Sequence, residues 1–162
     1  MKKRFLLLMF CFCLGSTLYA QTDSTKHKGL TKTELATAKE LYSKMIQSET
    51  YISMNETMAK TATSLNGLKL PQSNSPKDME SEASTTDFYR SWLAKNLNKT
   101  KFKSVDEGVK AIMKGWNLTK KLMSENKEVF ALIGRANEEQ GLEIVRTENP
   151  YDRLYDLSNK KH

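Results

Sequence analysis

Apolar residues recur at helical spacing along most of the chain after residue 30. In the first such stretch they are Leu35, Ala38, Leu41, Tyr42, Met45, Ile46 and Ile52, continued more weakly by Met58, Ala59, Ala62 and Leu65. Thr31 and Glu34 have the spacing of a capping box, in which each side chain accepts a backbone N–H of the other residue. Asn66 and Gly67 both tolerate the left-handed conformation with which helices often end. The pattern predicts a helix from Thr31 to Asn66–Gly67, with a kink or break near Ser53.

Two further helices are predicted in the middle of the chain. One runs roughly from Asp87 to Leu97 and is followed by a polar turn. The other begins at Ser104, which has a capping-box partner in Glu107 and places two acids at the positive end of the helix. Its apolar positions fall on one face and are Val105, Val109, Ile112, Met113 and Trp116. This face should be part of the core.

Beyond Asn117 the apolar phase changes, and the residues from Val129 to Ala136 form another apolar stripe. The stripe belongs either to the same helix after a bend or to a fourth helix that begins near Ser124. Residues 142–147 either extend that helix or form a short strand. Pro150 follows Asn149 as at a helix start, which predicts a terminal helix over residues 151–157. The fold class is therefore all-α, a single small bundle of four to five helices.

Residues 67–86 lie between the first two predicted helices and contain few apolar side chains. Pro71, Pro76 and a cluster of Ser, Asn and Thr interrupt any periodic pattern there. We expect a mobile linker at about 67–86, which serves either as a plain tether or as a binding loop.

The N-terminus has the pattern of a secretory signal peptide. Lys2, Lys3 and Arg4 precede an apolar run from Phe5 to Leu14, and small residues lead to Ala20. Residues 1–20 are therefore predicted to be a signal peptide and residues 21–30 a flexible N-terminal segment before the helical domain of 31–162. The protein is expected to be exported, to a periplasm or to the extracellular space. No later apolar segment has the roughly 20 residues that a membrane-spanning helix needs.

Composition supports a helical domain that is held together by packing alone. Gly and Pro are scarce, with seven and three residues in the whole chain, so few positions oppose helix formation. Both cysteines, Cys11 and Cys13, lie in the predicted signal peptide. The mature chain would then be free of cysteine, which excludes disulfides, thiolate catalysis and thiolate zinc sites.

Charge is distributed unevenly along the chain. Residues 90–121 contain nine Lys or Arg and two acids, whereas residues 122–158 contain eight acids and four Lys or Arg. On the helix that begins at Ser104, one stripe turned away from the apolar face consists of Lys110, Lys114, Asn117 and Lys121. We call this stripe the Lys-rich face.

A row of lysines on an exported protein can meet lipid phosphates, acidic polysaccharides or nucleic acid. The candidate residues for binding an anionic partner are Lys110, Lys114, Lys121, Arg90 and Trp92, the last as a stacking group. Anionic lipid, polysaccharide and another exported protein are all open as partners. The alternative is that these lysines are an ordinary solvated helix face or lie against the acidic segment, and that both tryptophans are core residues.

Catalytic and metal-binding patterns are sparse. His27 and His162 both lie in terminal segments, which disfavours a histidine-based triad. Neither a metal nor a cofactor is predicted. We therefore expect a binding module and not an enzyme, with two alternatives. One is a secreted hydrolase that uses paired carboxylates, drawn from Asp87, Glu107, Glu138 and Glu139. The other is a helical structural or assembly protein with an exposed apolar strip on its first helix.

Overall fold

The computed structural model describes residues 29–73 and 79–145, and within these residues the protein is all-α with no strand. Six α-helices are present there, one more than the upper end of the predicted four to five. They are α1 (Lys32–Ile46), α2 (Glu49–Ser64), α3 (Glu82–Asn96), α4 (Val105–Glu125), α5 (Lys127–Arg135) and α6 (Glu138–Val145). The predicted signal peptide and the predicted terminal helix over 151–157 lie outside the described residues.

The first predicted helix begins at the expected place but is two helices. Thr31 and Glu34 form the capping box, with the Glu34 N–H donating to Thr31 Oγ1 at 3.2 Å. α1 then ends at Ile46, because the Ser48 hydroxyl accepts the Tyr51 N–H and caps a new helix. The break therefore lies at Gln47–Ser48 and not near Ser53, which is inside α2. The stop signal at residues 66–67 is confirmed, since both have positive φ angles of 53° and 86°.

The second predicted helix begins five residues earlier than expected. Ser81 caps α3 by accepting the Ser84 N–H, and the Thr85 hydroxyl donates to the Ser81 carbonyl at 2.7 Å. These local bonds satisfy the polar groups of a Ser- and Thr-rich turn that resembles a linker in sequence. At the other end of the predicted linker, Leu68 and Leu70 pack against buried core residues.

The helix that begins after Ser104 agrees with the prediction. Ser104 Oγ accepts the Glu107 N–H, and Val109, Ile112 and Met113 on the predicted apolar face are buried. Asn126 separates α4 from α5, so the second apolar stripe belongs to a separate helix that begins at Lys127. Residues 142–145 are helical but belong to α6, which is separate from α5 because the backbone is extended at Ala136. They therefore neither extend the helix with the second apolar stripe nor form the alternative strand.

The chain forms two compact units. Within the described residues, the first contains 29–47 and 123–145, and the second contains 48–73 and 79–122. In the second unit the core is built from the end of α2, from α3, from α4 and from the segment between α3 and α4. Its buried members are Leu65, Tyr89, Leu93, Phe102, Val109, Ile112 and Met113.

In the first unit, α1 packs against both α5 and α6. An Asn137 and Gln140 pair caps α6, with the Gln140 N–H donating to Asn137 Oδ1 at 2.9 Å. The Gln140 side-chain Oε1 accepts the Asn137 N–H at 3.2 Å, which adds to this cap. The same side-chain amide holds the backbone of Leu30, accepting its N–H at 2.7 Å and donating to its carbonyl at 2.8 Å. One side chain therefore fixes both the start of α6 and the segment that leads into α1.

Acid is expected to weaken the first unit through Glu34. Its carboxylate accepts from the Thr31 N–H and hydroxyl and from Arg135. These contacts lower the pKa of Glu34, and the backbone hydrogen bond from Thr31 contributes most. Because the folded-state pKa lies below the unfolded-state pKa, the stabilisation is complete above the unfolded-state value and is lost as pH falls through the folded-state value.

We therefore expect Glu34→Gln to lower the thermal midpoint slightly at neutral pH and to have no effect once the carboxyl group is protonated. The difference should be small, because the ion pair with Arg135 is open to solvent. Thermal unfolding of both proteins between about pH 2 and 7 measures it. Glu56→Gln, at an exposed position of α2, is the control. A difference in thermal midpoint between the Glu34 variant and the wild type that stays constant across this pH range would show that the charge of the Glu34 carboxylate does not stabilise the fold.

Candidate functional site

All five candidate binding residues lie in the second unit. Arg90 and Trp92 are on α3, and the three lysines are on α4. Two polar contacts show that these helices are antiparallel. Near the start of α3, Glu82 contacts Asn117 of α4, and further along α3, Arg90 contacts Asp106 in the first turn of α4. The two helices thus bring candidate residues that are distant in sequence into one unit.

The Lys-rich face is solvent-exposed. Lys110, Lys114 and Lys121 are all exposed, while Val109, Ile112 and Met113, on another side of α4, are buried. No ion pair involves Lys110 or Lys114 within residues 29–73 and 79–145. Their ammonium groups are therefore available to an external anion.

The two acids in the first turn of α4 are engaged away from Lys110 and Lys114. Asp106 Oδ1 accepts from Arg90 Nη1 at 2.5 Å. Glu107 Oε2 accepts the Lys103 backbone N–H at 2.7 Å, which completes the cap of the helix. The Arg90 guanidinium therefore offsets the charge of Asp106, whereas Glu107 keeps its full negative charge because a backbone N–H is neutral.

Arg90 is bound within the chain. Its guanidinium pairs with Asp106, and both side chains remain largely exposed to solvent. An exposed pair of this kind is weak, so an external anion can compete for the guanidinium at low cost. Arg90 would then contribute to binding only after the external anion has replaced Asp106 as its partner. Lys110 and Lys114 have no such ion pair to give up within the described residues.

The tryptophans are placed mainly as core residues. Trp92 and Trp116 are half-buried, and both pack against the core of the second unit. The Lys120 ammonium lies 4.4 Å from the centre of the Trp116 ring, in a cation–π contact. That face of the Trp116 ring is therefore occupied by Lys120.

Sequence reasoning missed Glu82 as a neighbour of the Lys-rich face. The Asn117 Nδ2 donates to Glu82 Oε1 at 3.2 Å, which places a carboxylate beside the face between Lys114 and Lys121 along the helix. Glu82 and Asn117 are 35 positions apart, and no local pattern connects them. Only the packing of α3 on α4 brings this negative charge to the lysines.

The carboxylates proposed for hydrolysis are spread over three helices. Asp87 is exposed on α3, and Glu107 serves as the cap of α4. Glu138 and Glu139 are exposed in the first turn of α6, where they line a shallow depression of about 540 Å³ together with Asn137 and Leu142. An acid–base pair for glycoside hydrolysis needs one carboxyl group whose pKa is raised by an apolar pocket. Both carboxylates in this depression face solvent.

Metal-binding clusters and membrane-spanning helices are absent from the described part of the chain. Among residues 29–73 and 79–145, no three His, Cys, Asp or Glu side chains cluster closely enough to hold a metal ion. None of the helices in these ranges has the length and apolar character required to cross a bilayer. The apolar residues of α1 and α2 form no exposed strip, since the one exposed large hydrophobic residue among those described is Leu142 on α6.

Comparison with known proteins adds no relative from which a role could be transferred. No protein-family model matches the chain, no curated protein is significantly similar to it, and no solved structure has a significantly similar fold.

Proposed function

We propose that the protein is an exported, non-catalytic binding module that engages an anionic partner through the Lys-rich face of α4. The partner would be met outside the cytoplasm, because residues 1–20 have the pattern of a signal peptide. One observation carries the proposal. Lys110 and Lys114 are exposed on a helix whose first-turn acids are engaged by Arg90 and by the Lys103 backbone.

The position of the lysines on a helix supports binding. Lys110 and Lys114 are one turn apart, so their Cβ atoms are about 6 Å from each other. Each ammonium group attracts anions over roughly 8–10 Å at moderate ionic strength, so the two potentials overlap. An anion near α4 therefore experiences both charges together.

The buried side of α4 supports the same conclusion. Val109, Ile112 and Met113 are almost fully buried, which fixes the rotation of the helix about its axis. The lysines therefore stay on one side of the unit without a ligand to hold them there. Binding would cost the ordering of long side chains but little ordering of the backbone.

The test is a titration of the purified protein against phosphatidylglycerol vesicles and an acidic polysaccharide, at low and near-physiological salt. A triple variant with Lys110, Lys114 and Lys121 changed to Glu should bind at least about tenfold more weakly, since one Lys near an anionic surface contributes about 1 kcal/mol. The matched control changes Lys60, Lys69 and Lys95 to Glu. These three are exposed in the same unit but outside the Lys-rich face.

The control separates a specific surface from net charge, because both triple variants change the charge by the same amount. Equal binding by the wild type and the Lys110, Lys114 and Lys121 variant would refute the proposal, and so would equal losses in both variants. Circular dichroism checks that each variant keeps its helical content. Binding that is lost only in the first variant supports the proposal.

A further inference from the structure

The length of the Lys-rich face limits the size of the ligand that could use all of it. Lys110 and Lys121 are eleven residues apart, which corresponds to about 16 Å along the axis of α4. One phosphate or sulfate ion is far too small to contact both ends. A ligand that engages the whole face must be extended and must lie along the helix.

A fixed negative charge interrupts this row of lysines. Asn117 lies between Lys114 and Lys121, and its amide donates to the Glu82 carboxylate at 3.2 Å. Arg90 and Asp106 join α3 to α4 further along, so the two helices are linked at two points on either side of the intervening core residues. Glu82 is therefore held beside the face, and an extended anion along α4 has to pass this carboxylate.

The charge spacing of the ligand then decides how well it fits. A nucleic acid carries one charge on every nucleotide, about every 3.4 Å along each strand of B-form DNA, so a strand along the face would place a phosphate next to Glu82. A polysaccharide with one carboxylate per disaccharide has longer neutral stretches. It can set its charges against Lys110 and Lys114 at one end and, in exchange for the interaction that Lys121 already makes within the chain, against Lys121 at the other, with a neutral sugar opposite Glu82.

Two further observations disfavour the other anionic partners. Nucleic acid binding without base pairing depends on aromatic faces for stacking, whereas Trp116 is covered on one face by Lys120 and Trp92 packs against the core. Firm attachment to a membrane surface uses apolar side chains that enter the interface. In the described part of the second unit, no large hydrophobic residue is exposed.

We propose that the Lys-rich face binds a linear acidic polysaccharide with widely spaced carboxylates, and that Glu82 selects this polymer against densely charged ones. The inference rests on the proposed function and adds to it the class of ligand and a residue that determines specificity. Glu82 does not itself bind the ligand. It acts by repelling a negative charge at one point along the row.

The experiment measures binding of the purified protein to four probes at one ionic strength. The probes are hyaluronate oligosaccharides of increasing length, oligo(dT), orthophosphate and phosphatidylglycerol vesicles. We expect affinity for hyaluronate to rise with length until the oligosaccharide spans the face, and orthophosphate not to compete. Glu82→Gln should raise the affinity for oligo(dT) at least about threefold more than the affinity for hyaluronate, because it removes a Coulomb repulsion that only the dense polymer meets.

Glu56→Gln is the matched control, since it removes one exposed carboxylate from α2 of the same unit and should leave the ratio of the two affinities unchanged. Tighter binding of oligo(dT) or vesicles than of hyaluronate by the wild type would overturn the inference. So would an unchanged ratio in the Glu82 variant, or competition by orthophosphate. In these cases the proposed function stands if the Lys110, Lys114 and Lys121 variant still loses binding. If none of the four probes binds, both proposals fail.

Discussion

Gly108→Ala is expected to destabilise the protein when residue 93 is Leu and to be neutral or stabilising when residue 93 is Ala. A Cβ atom at position 108 would lie 2.8 Å from Leu93 Cδ1 and 3.0 Å from Phe102 Cδ2. Leu93 is completely buried, so its side chain has little room to move away. Glycine at this position is therefore required by close packing of α3 and the following segment against α4.

The expected change in the free energy of unfolding follows from two opposing effects. Overpacking a core costs about 1–3 kcal/mol, whereas Ala is favoured over Gly inside a helix by about 1 kcal/mol. Gly108→Ala in the wild type is then expected to lower the free energy of unfolding by about 1 kcal/mol. Leu93→Ala alone should cost about 2–5 kcal/mol, because it leaves a cavity in the core of the second unit.

In the Leu93→Ala background the closest clash is removed, and the new methyl group fills part of the cavity. The helix preference of Ala then dominates, so the second substitution should change stability by between zero and about 1 kcal/mol in the favourable direction. Urea denaturation of the wild type, the two single variants and the double variant measures the coupling between the two positions, expected to be about 1–2 kcal/mol. Additive effects would show that Leu93 and the methyl group introduced at position 108 do not compete for the same space.

Gln140→Leu is expected to cost about 2–3 kcal/mol, since it removes two hydrogen bonds to Leu30 and part of the cap of α6, each contributing about 1 kcal/mol. Leu30 is 7% exposed, so its backbone groups cannot simply turn to water. The loss should be accompanied by faster hydrogen exchange at the Leu30 amide. Gln140→Glu retains both acceptor functions but loses the donor to the Leu30 carbonyl, and it should have an intermediate effect.

Glu139→Leu is the control for Gln140→Leu, because it introduces the same side chain at the neighbouring exposed position of α6. It should leave the exchange rate of the Leu30 amide unchanged. If Gln140→Leu also leaves that rate unchanged, the contact between α6 and the segment before α1 is not what protects Leu30.

Helix starts that depend on neighbouring residues were predictable. The capping-box patterns at Thr31 and Ser104 consist only of a hydroxyl and a carboxylate three residues apart, and both helices begin there. The full box forms at Thr31, whereas Glu107 accepts the Lys103 N–H and not the Ser104 N–H. The apolar face of α4 was predictable for the same reason, since helical geometry alone places its residues on one side. The starts of α2 and α3 were missed because Ser48 and Ser81 lack an acidic residue three positions later. In α3, burial of Thr85 and hydrogen bonds within the first turn outweigh the low helix propensity of Ser and Thr.

For the candidate site, the sequence determined which residues share the Lys-rich face, because a helix with a period of about 3.6 residues fixes their relative directions. It also determined that the fold is all-α, through the recurrence of apolar residues at that period. Only the tertiary structure decided what surrounds the lysines. The approach of Glu82 to Asn117, the pairing of Arg90 with Asp106 and the contact of Gly108 with Leu93 join residues on different helices. Such contacts depend on how helices pack, and packing is set by the fit of whole faces, which no local pattern in the chain encodes.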